Sequence, residues 1–162
     1  MGRQKVGDGI KLQIRPLCRE NAAAVAALER KIFGTPWSEK TVEESIVRGE
    51  SQERPGAFYA ALGAFLKDEL AGYLFAMAVA GEGELHRIGT VPAFRRKGVG
   101  DALMEALVSW ISYCGGGSIW LEVRAGNKAA VSLYKKHGFL ETGRRKNYYQ
   151  NPTEDACIFV YH

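Results

Sequence analysis

The stretch FRRKGVGDALMEAL, residues 94–107, decides how this chain is read. Three consecutive cations, Arg95, Arg96 and Lys97, and two glycines, Gly98 and Gly100, run directly into apolar residues at helical spacing. The first N–H groups of a helix lack intrahelical partners and sit at the positive end of its dipole, so the stretch reads as an anion site. Glycine permits close approach of backbone to a phosphate. So much positive charge suits a pyrophosphate better than a single small anion. Taken alone, R-x-x-G-x-G also describes an ordinary solvated helix start. The Walker pattern G-x-x-x-x-G-K-[ST] is missing, and no G-x-G-x-x-G follows an early strand.

The context on either side is richer. Upstream, KLQIRPL (11–17) alternates like a strand, and Arg19 to Phe33 carries Ala22, Val25, Leu28 and Ile32 at helical spacing up to Gly34. Ser38 is placed to cap a second helix with Glu39 in its first turn. A polar loop is expected from Gly49 to Gly56. AFYAALGAFL (57–66) and LAGYLFAMAV (70–79) read as hairpin strands, too continuously apolar for one face to be wet. GEGELHRIGTV (81–91) gives a fourth strand, ending before Pro92. Downstream, a helix from Val99 to Cys114 leads through GGGS (115–118) to a fifth strand, IWLEVR (119–124). Asn127 then caps a helix closed by Gly138, and FLETGRRKNYY and ACIFVYH form a terminal antiparallel pair. This order predicts an α/β (α+β) mixed sheet with helices on both faces. One domain over residues 1–162 is expected, with 1–9 as a flexible extension.

Composition narrows the function classes. Of 162 residues, 46% are hydrophobic and 25% charged, and the formal net charge is +4. The longest apolar run, Ala71 to Ala80, is about half the roughly 20 residues a membrane-spanning helix needs. MGRQKVGDGI has no apolar segment after its charges, so no secretory signal is read and a cytoplasmic location is expected. Cys18, Cys114 and Cys157 form no C-x-x-C pair and read as reduced thiols; with His86, His137 and His162 they show no metal-ligand spacing. The cations cluster at 95–97, 135–136 and 144–146, which favours an anionic ligand in the second half.

The succession of fourth strand, glycine turn, helix, fifth strand, Asn-capped helix and terminal hairpin resembles the GNAT N-acetyltransferase superfamily. PWSEKT (36–41), IWLEVRAGNKAAVSLYKKHGF (119–139), RRKNYY (144–149) and EDA (154–156) are similar to the bacterial ribosomal-protein-alanine N-acetyltransferases, the RimI type. The resemblance implies a mostly antiparallel seven-stranded sheet with about four helices, splayed between its fourth and fifth strands. It implies acetyl-CoA as co-substrate and no metal. It places backbone N–H groups from Arg96 through Lys97, Gly98, Val99 and Gly100 to Asp101 on the pyrophosphate, with Arg95 raising the local potential. Ile88, Gly89 and Thr90 would pair with the pantetheine arm, and Asn127 would add a contact. Asp101 stands where a neutral or basic residue is more usual, and a carboxylate there would repel a pyrophosphate.

Transfer of an acetyl group to an amine needs a neutral amine and an acid for the departing thiolate. An α-amine with a pKa of about 8 is roughly a tenth neutral at pH 7, whereas a lysine is neutral in only about one molecule in 2,500. Glu122 lies on the same strand face as Trp120, opposite Leu121 and Val123, where apolar surroundings are expected to raise its pKa. It matches the family's base, and Tyr134 matches the family's general acid. Glu84 is a reserve base, with His86 behind it. Trp37, Tyr148 and Tyr149 would wall the acceptor side. The implied partner is a protein N-terminus, expected on a ribosomal protein starting with Ala, with no direct nucleic acid, no membrane, and a monomer or weak dimer. Two rivals are a GNAT enzyme acting on lysine or a small amine, and a catalytically silent CoA-binding or ribosome-associated protein.

Overall fold

The computed structural model describes residues 3–6, 10–51 and 54–162. All seven expected strands are present, and an eighth is added at the edge. In chain order they are β1 (Arg3–Val6), β2 (Ile10–Pro16), β3 (Ala57–Leu66), β4 (Glu69–Val79), β5 (Glu82–Thr90), β6 (Ser118–Arg124), β7 (Leu140–Tyr149) and β8 (Glu154–Tyr161). The helices are α1 (Ala22–Ile32), α2 (Glu39–Ser51), α3 (Val99–Tyr113) and α4 (Lys128–Lys136). Strand order across the sheet is β1-β2-β3-β4-β5-β6-β8-β7. Strand β1 corrects the expected flexible extension: Arg3 to Val6 pair with Gln13 to Ile10 of β2, whose outer edge would otherwise be unpaired. The remaining residues of that extension lie outside the described residues. The expected loop at Gly49 also begins later, because α2 continues to Ser51.

Strands β3 and β4 are buried along most of their length because helices cover both faces. On one face, Val25 and Ala26 of α1 and Val42 and Ile46 of α2 pack on Phe65, Tyr73 and Phe75. On the other, Val99, Leu103, Met104, Leu107 and Ile111 of α3 meet Leu74, Ala76 and Leu85. Each of the larger apolar side chains among these contributes about 2 kcal/mol by leaving water. The β3–β4 turn consists of Lys67 and Asp68, both at positive φ (48° and 65°), the twist a two-residue hairpin favours.

Two departures from regular pairing shape the middle of the sheet. Strands β5 and β6 are parallel and register only through Glu82–Ser118, Gly83–Ile119 and Glu84–Trp120; beyond that they separate. This is the expected splay. Strand β5 also carries a bulge at His86, since Phe75 and Ala76 of β4 register with Arg87 and Leu85. The extra residue inverts the alternation. Leu85 and Ile88 face α3, while Glu84 and Arg87 both face the α1–α2 side.

Candidate active site

A cleft of about 580 Å³ opens on the α3–α4 face beside the splayed end of β5. Its walls are Ile88 to Thr90 of β5, the turn with Arg95, Arg96 and Gly98, the start of α3 from Val99 to Asp101, and the α4 face with Ala130, Leu133 and Lys136. The first backbone bond of α3 runs from Ala102 N–H to the Gly98 carbonyl at 3.0 Å, which leaves the N–H groups of Val99, Gly100 and Asp101 without helical partners. Gly98 has φ +78° with open space around a hypothetical Cβ, so the backbone turn itself calls for glycine. Gly100 has a different reason: a Cβ there would lie 3.1 Å from Leu133 Cδ2, so its absence lets α4 close on α3.

Of the residues expected to bind cofactor, two stand outside the lining. Lys97 reaches over the Phe94 ring, its Nζ 5.6 Å from the centroid. The Asn127 side chain caps α4, accepting from Ala130 N–H at 3.2 Å, and so seats the helix that walls the cleft. Asn127→Ala is expected to lower stability by about 1 kcal/mol, seen as a reduced Tm in a thermal melt. The expected repulsion from Asp101 is offset by partners the sequence did not reveal. Its Oδ1 lies 2.9 Å from Lys136 Nζ and 2.8 Å from His137 Nε2. Burial pushes the Asp101 carboxyl up, but the hydrogen bonds from Lys136 and His137 outweigh it and hold the group low.

On the opposite face, Glu122 and Trp120 project as the alternation predicts, with Ile119, Leu121 and Val123 buried behind them. The surroundings of Glu122 are not apolar, however. Arg145 of β7 donates its Nε to Glu122 Oε1 at 2.7 Å, and the Glu122 side chain is only 14% exposed. Arg145 is therefore tied to Glu122, and Arg144 pairs with Glu141 at 2.7 Å. Tyr148 and Tyr149 meet edge to face, centroids 5.1 Å apart. Hydrogen bonding to the Glu122 carboxylate raises the Tyr148 pKa. Tyr149 is pushed up to about 12, first by burial and then by the charge of Glu122.

Tyr134 lies on α4 against Phe139 and Phe159, with ring centroids 6.0 and 6.2 Å away. Burial first, and Tyr149 second, raise its pKa well above the ordinary phenol value. Tyr149 is thus within electrostatic reach of both Tyr134 and Glu122. Glu84 sits 3.4 Å from His86, across from Trp120. Trp37 lies beside α1, its backbone N–H donating to Glu29 and its ring 5.4 Å from Phe75.

A sheet opened between two parallel strands, with a helix N-terminus on one side of the opening and a carboxylate with tyrosines on the other, defines an acyl-transfer class of site. The chain belongs to the acetyltransferase (GNAT) family, whose model matches residues 22–139. It is 37% identical over 135 residues to the [ribosomal protein bS18]-alanine N-acetyltransferase of Salmonella typhimurium, covering 82% of this chain and 85% of that one. It is 32% identical over 155 residues to the N-alpha-acetyltransferase RimI of Mycobacterium tuberculosis, covering 92% and 91%. Among solved structures, the ribosomal-protein-S18-alanine N-acetyltransferase from Escherichia coli superposes with a TM-score of 0.80 at 32% identity, over 93% of this chain and 92% of that one.

Proposed function

We propose that this protein transfers the acetyl group of acetyl-CoA to the N-terminal α-amine of a protein, a ribosomal protein beginning with alanine. The observation that carries the reading is the splay itself, which gives a cleft of cofactor size on one face and Glu122 with Tyr148 and Tyr149 on the other. The names of the relatives support the acceptor class.

The groove fits the cofactor on its own chemistry. The unpartnered N–H groups of Val99, Gly100 and Asp101, with Arg95 and Arg96 beside them, suit a pyrophosphate. The edge of β5 from Ile88 to Thr90 has left its pairing with β6 and can meet amides of the pantetheine arm. Bound acetyl-CoA supplies the thioester that carries the acetyl group. Glu122 then takes the amine proton, directly or through one water, and Tyr134 gives its proton to the departing sulfur. Tyr148, Tyr149 and Trp37 hold the peptide backbone between them. The same reading takes residues 1–162 as one domain acting as a monomer or weak dimer in the cytoplasm, without nucleic acid or membrane. Among the described residues no helix is long and apolar enough to cross a membrane.

The test is a peptide with both a free alanine N-terminus and an internal lysine, incubated with acetyl-CoA and mapped by fragment-ion mass spectrometry. Acetyl on the α-amine alone is expected. Acetyl on the lysine at comparable yield would reassign the acceptor.

A further inference from the structure

Glu29 is the one charged side chain among the described residues with no exposed surface. It occupies the sheet-facing side of α1, three and four residues after Ala26 and Val25, and every hydrogen bond it accepts is long-range or bridges to the following loop. Oε1 accepts from the Tyr73 hydroxyl at 2.7 Å and from Arg87 Nε at 3.1 Å. Oε2 accepts from Arg87 Nη2 at 2.7 Å and from the Trp37 backbone N–H at 2.9 Å. Arg87 Nη2 also donates to the Thr35 carbonyl at 2.8 Å, and the guanidinium lies 3.8 Å above the Phe33 ring and 5.4 Å from that of Trp37.

A buried ion pair is a poor device for stability alone, because desolvation offsets most of the attraction and an apolar pair of similar volume serves as well. What this pair does that an apolar pair cannot is fix direction. It grips two backbone groups of the segment between α1 and α2 and ties them to β5 at the residue just before Ile88, where the cofactor cleft begins. The bulge at His86 is what turns Arg87 towards Glu29.

We propose that Glu29 and Arg87 are positioning residues for the acceptor: together they set the Thr35–Trp37 wall against the splayed end of β5 and so determine how tightly the acceptor peptide is held. This rests on the acceptor entering beside Trp37, as in the proposed function. Neither residue touches the reacting atoms.

Three variants test it: Arg87→Lys, Glu29→Gln, and the double Glu29→Leu/Arg87→Met, which removes both charges and leaves no buried ion unpaired. The first readout is the peptide KM against the acetyl-CoA Kd. The second is acrylamide quenching of Trp37 in a Trp110→Phe/Trp120→Phe background, which needs no turnover. The expected result is a peptide KM raised about tenfold, an acetyl-CoA Kd within about twofold of wild type, and stronger Trp37 quenching. Unchanged quenching in a folded variant, an unchanged peptide KM, or equal losses in both affinities would overturn the proposal. Loss of the fold in all three variants would assign the pair to stability alone and overturn it as well. If the wild type acetylates no peptide, the proposed function fails on its own account, and quenching still decides whether the pair holds the wall.

Discussion

Glu122→Gln is expected to lower kcat with an α-amine acceptor by about 10²-fold, at the lower end of what a positioned base supplies. The lower end applies because an α-amine with a pKa of about 8 already carries a sizeable neutral fraction at pH 7. Gln keeps the shape of the side chain and an oxygen for Arg145, which donates to Oε1 in the wild type, so the β6–β7 contact survives. Acetyl-CoA affinity should stay within about twofold, since the cleft that would hold it is lined from the other face. Steady-state thiol release across pH 6 to about 9 is the check. The residual rate should climb with pH as free amine accumulates, because the solution then does what the carboxylate did. A variant within about threefold of wild type would move the base to Glu84, which lies one strand over on the same face.

Tyr134→Phe is expected to cost more, about 10²- to 10³-fold in kcat, within the range a positioned acid supplies. The ring remains against Phe139 and Phe159, so Tm should move little. The pH dependence carries a sign that can be checked. Burial raises the Tyr134 pKa, so the protonated form that an acid needs persists further into alkali than an ordinary phenol would allow. The wild-type kcat should therefore show no falling limb near pH 10, where a free tyrosine at about 10 would lose its proton. A fall centred there would mean that the hydroxyl is exposed during turnover, or that another group is the acid.

The parts of this molecule that sequence made legible are those set by local pattern. Asn127 before an amphipathic run, Ser38 before Glu39, and unbroken apolar strands at 57–66 and 70–79 each state their structure directly. The placement of Glu122 opposite Leu121 and Val123 follows from simple alternation. What escaped depends on residues distant in sequence. The bulge at His86 breaks the period of two without a glycine or proline to mark it, and so concealed that Arg87 shares a face with Glu84. Arg145 stood out only as one of three clustered cations until β7 folded beside β8 and brought it to Glu122. The repulsion expected at Asp101 is offset because Lys136 and His137 arrive from α4 and its end. Glu29 left a readable trace: an acidic residue at the i+3 and i+4 positions of a buried alanine and valine stripe is out of place on a helix face that leaves water, and it calls for a buried cation.

Transfer to an α-amine is decided by comparing two peptides. Initial rates of thiol release from acetyl-CoA at neutral pH are taken with a short peptide of ribosomal type beginning with alanine, and with its N-terminally blocked, lysine-containing twin. Release is expected with the free N-terminus and none above background with the blocked twin. Equal release with both would contradict it and make the acceptor an ordinary amine.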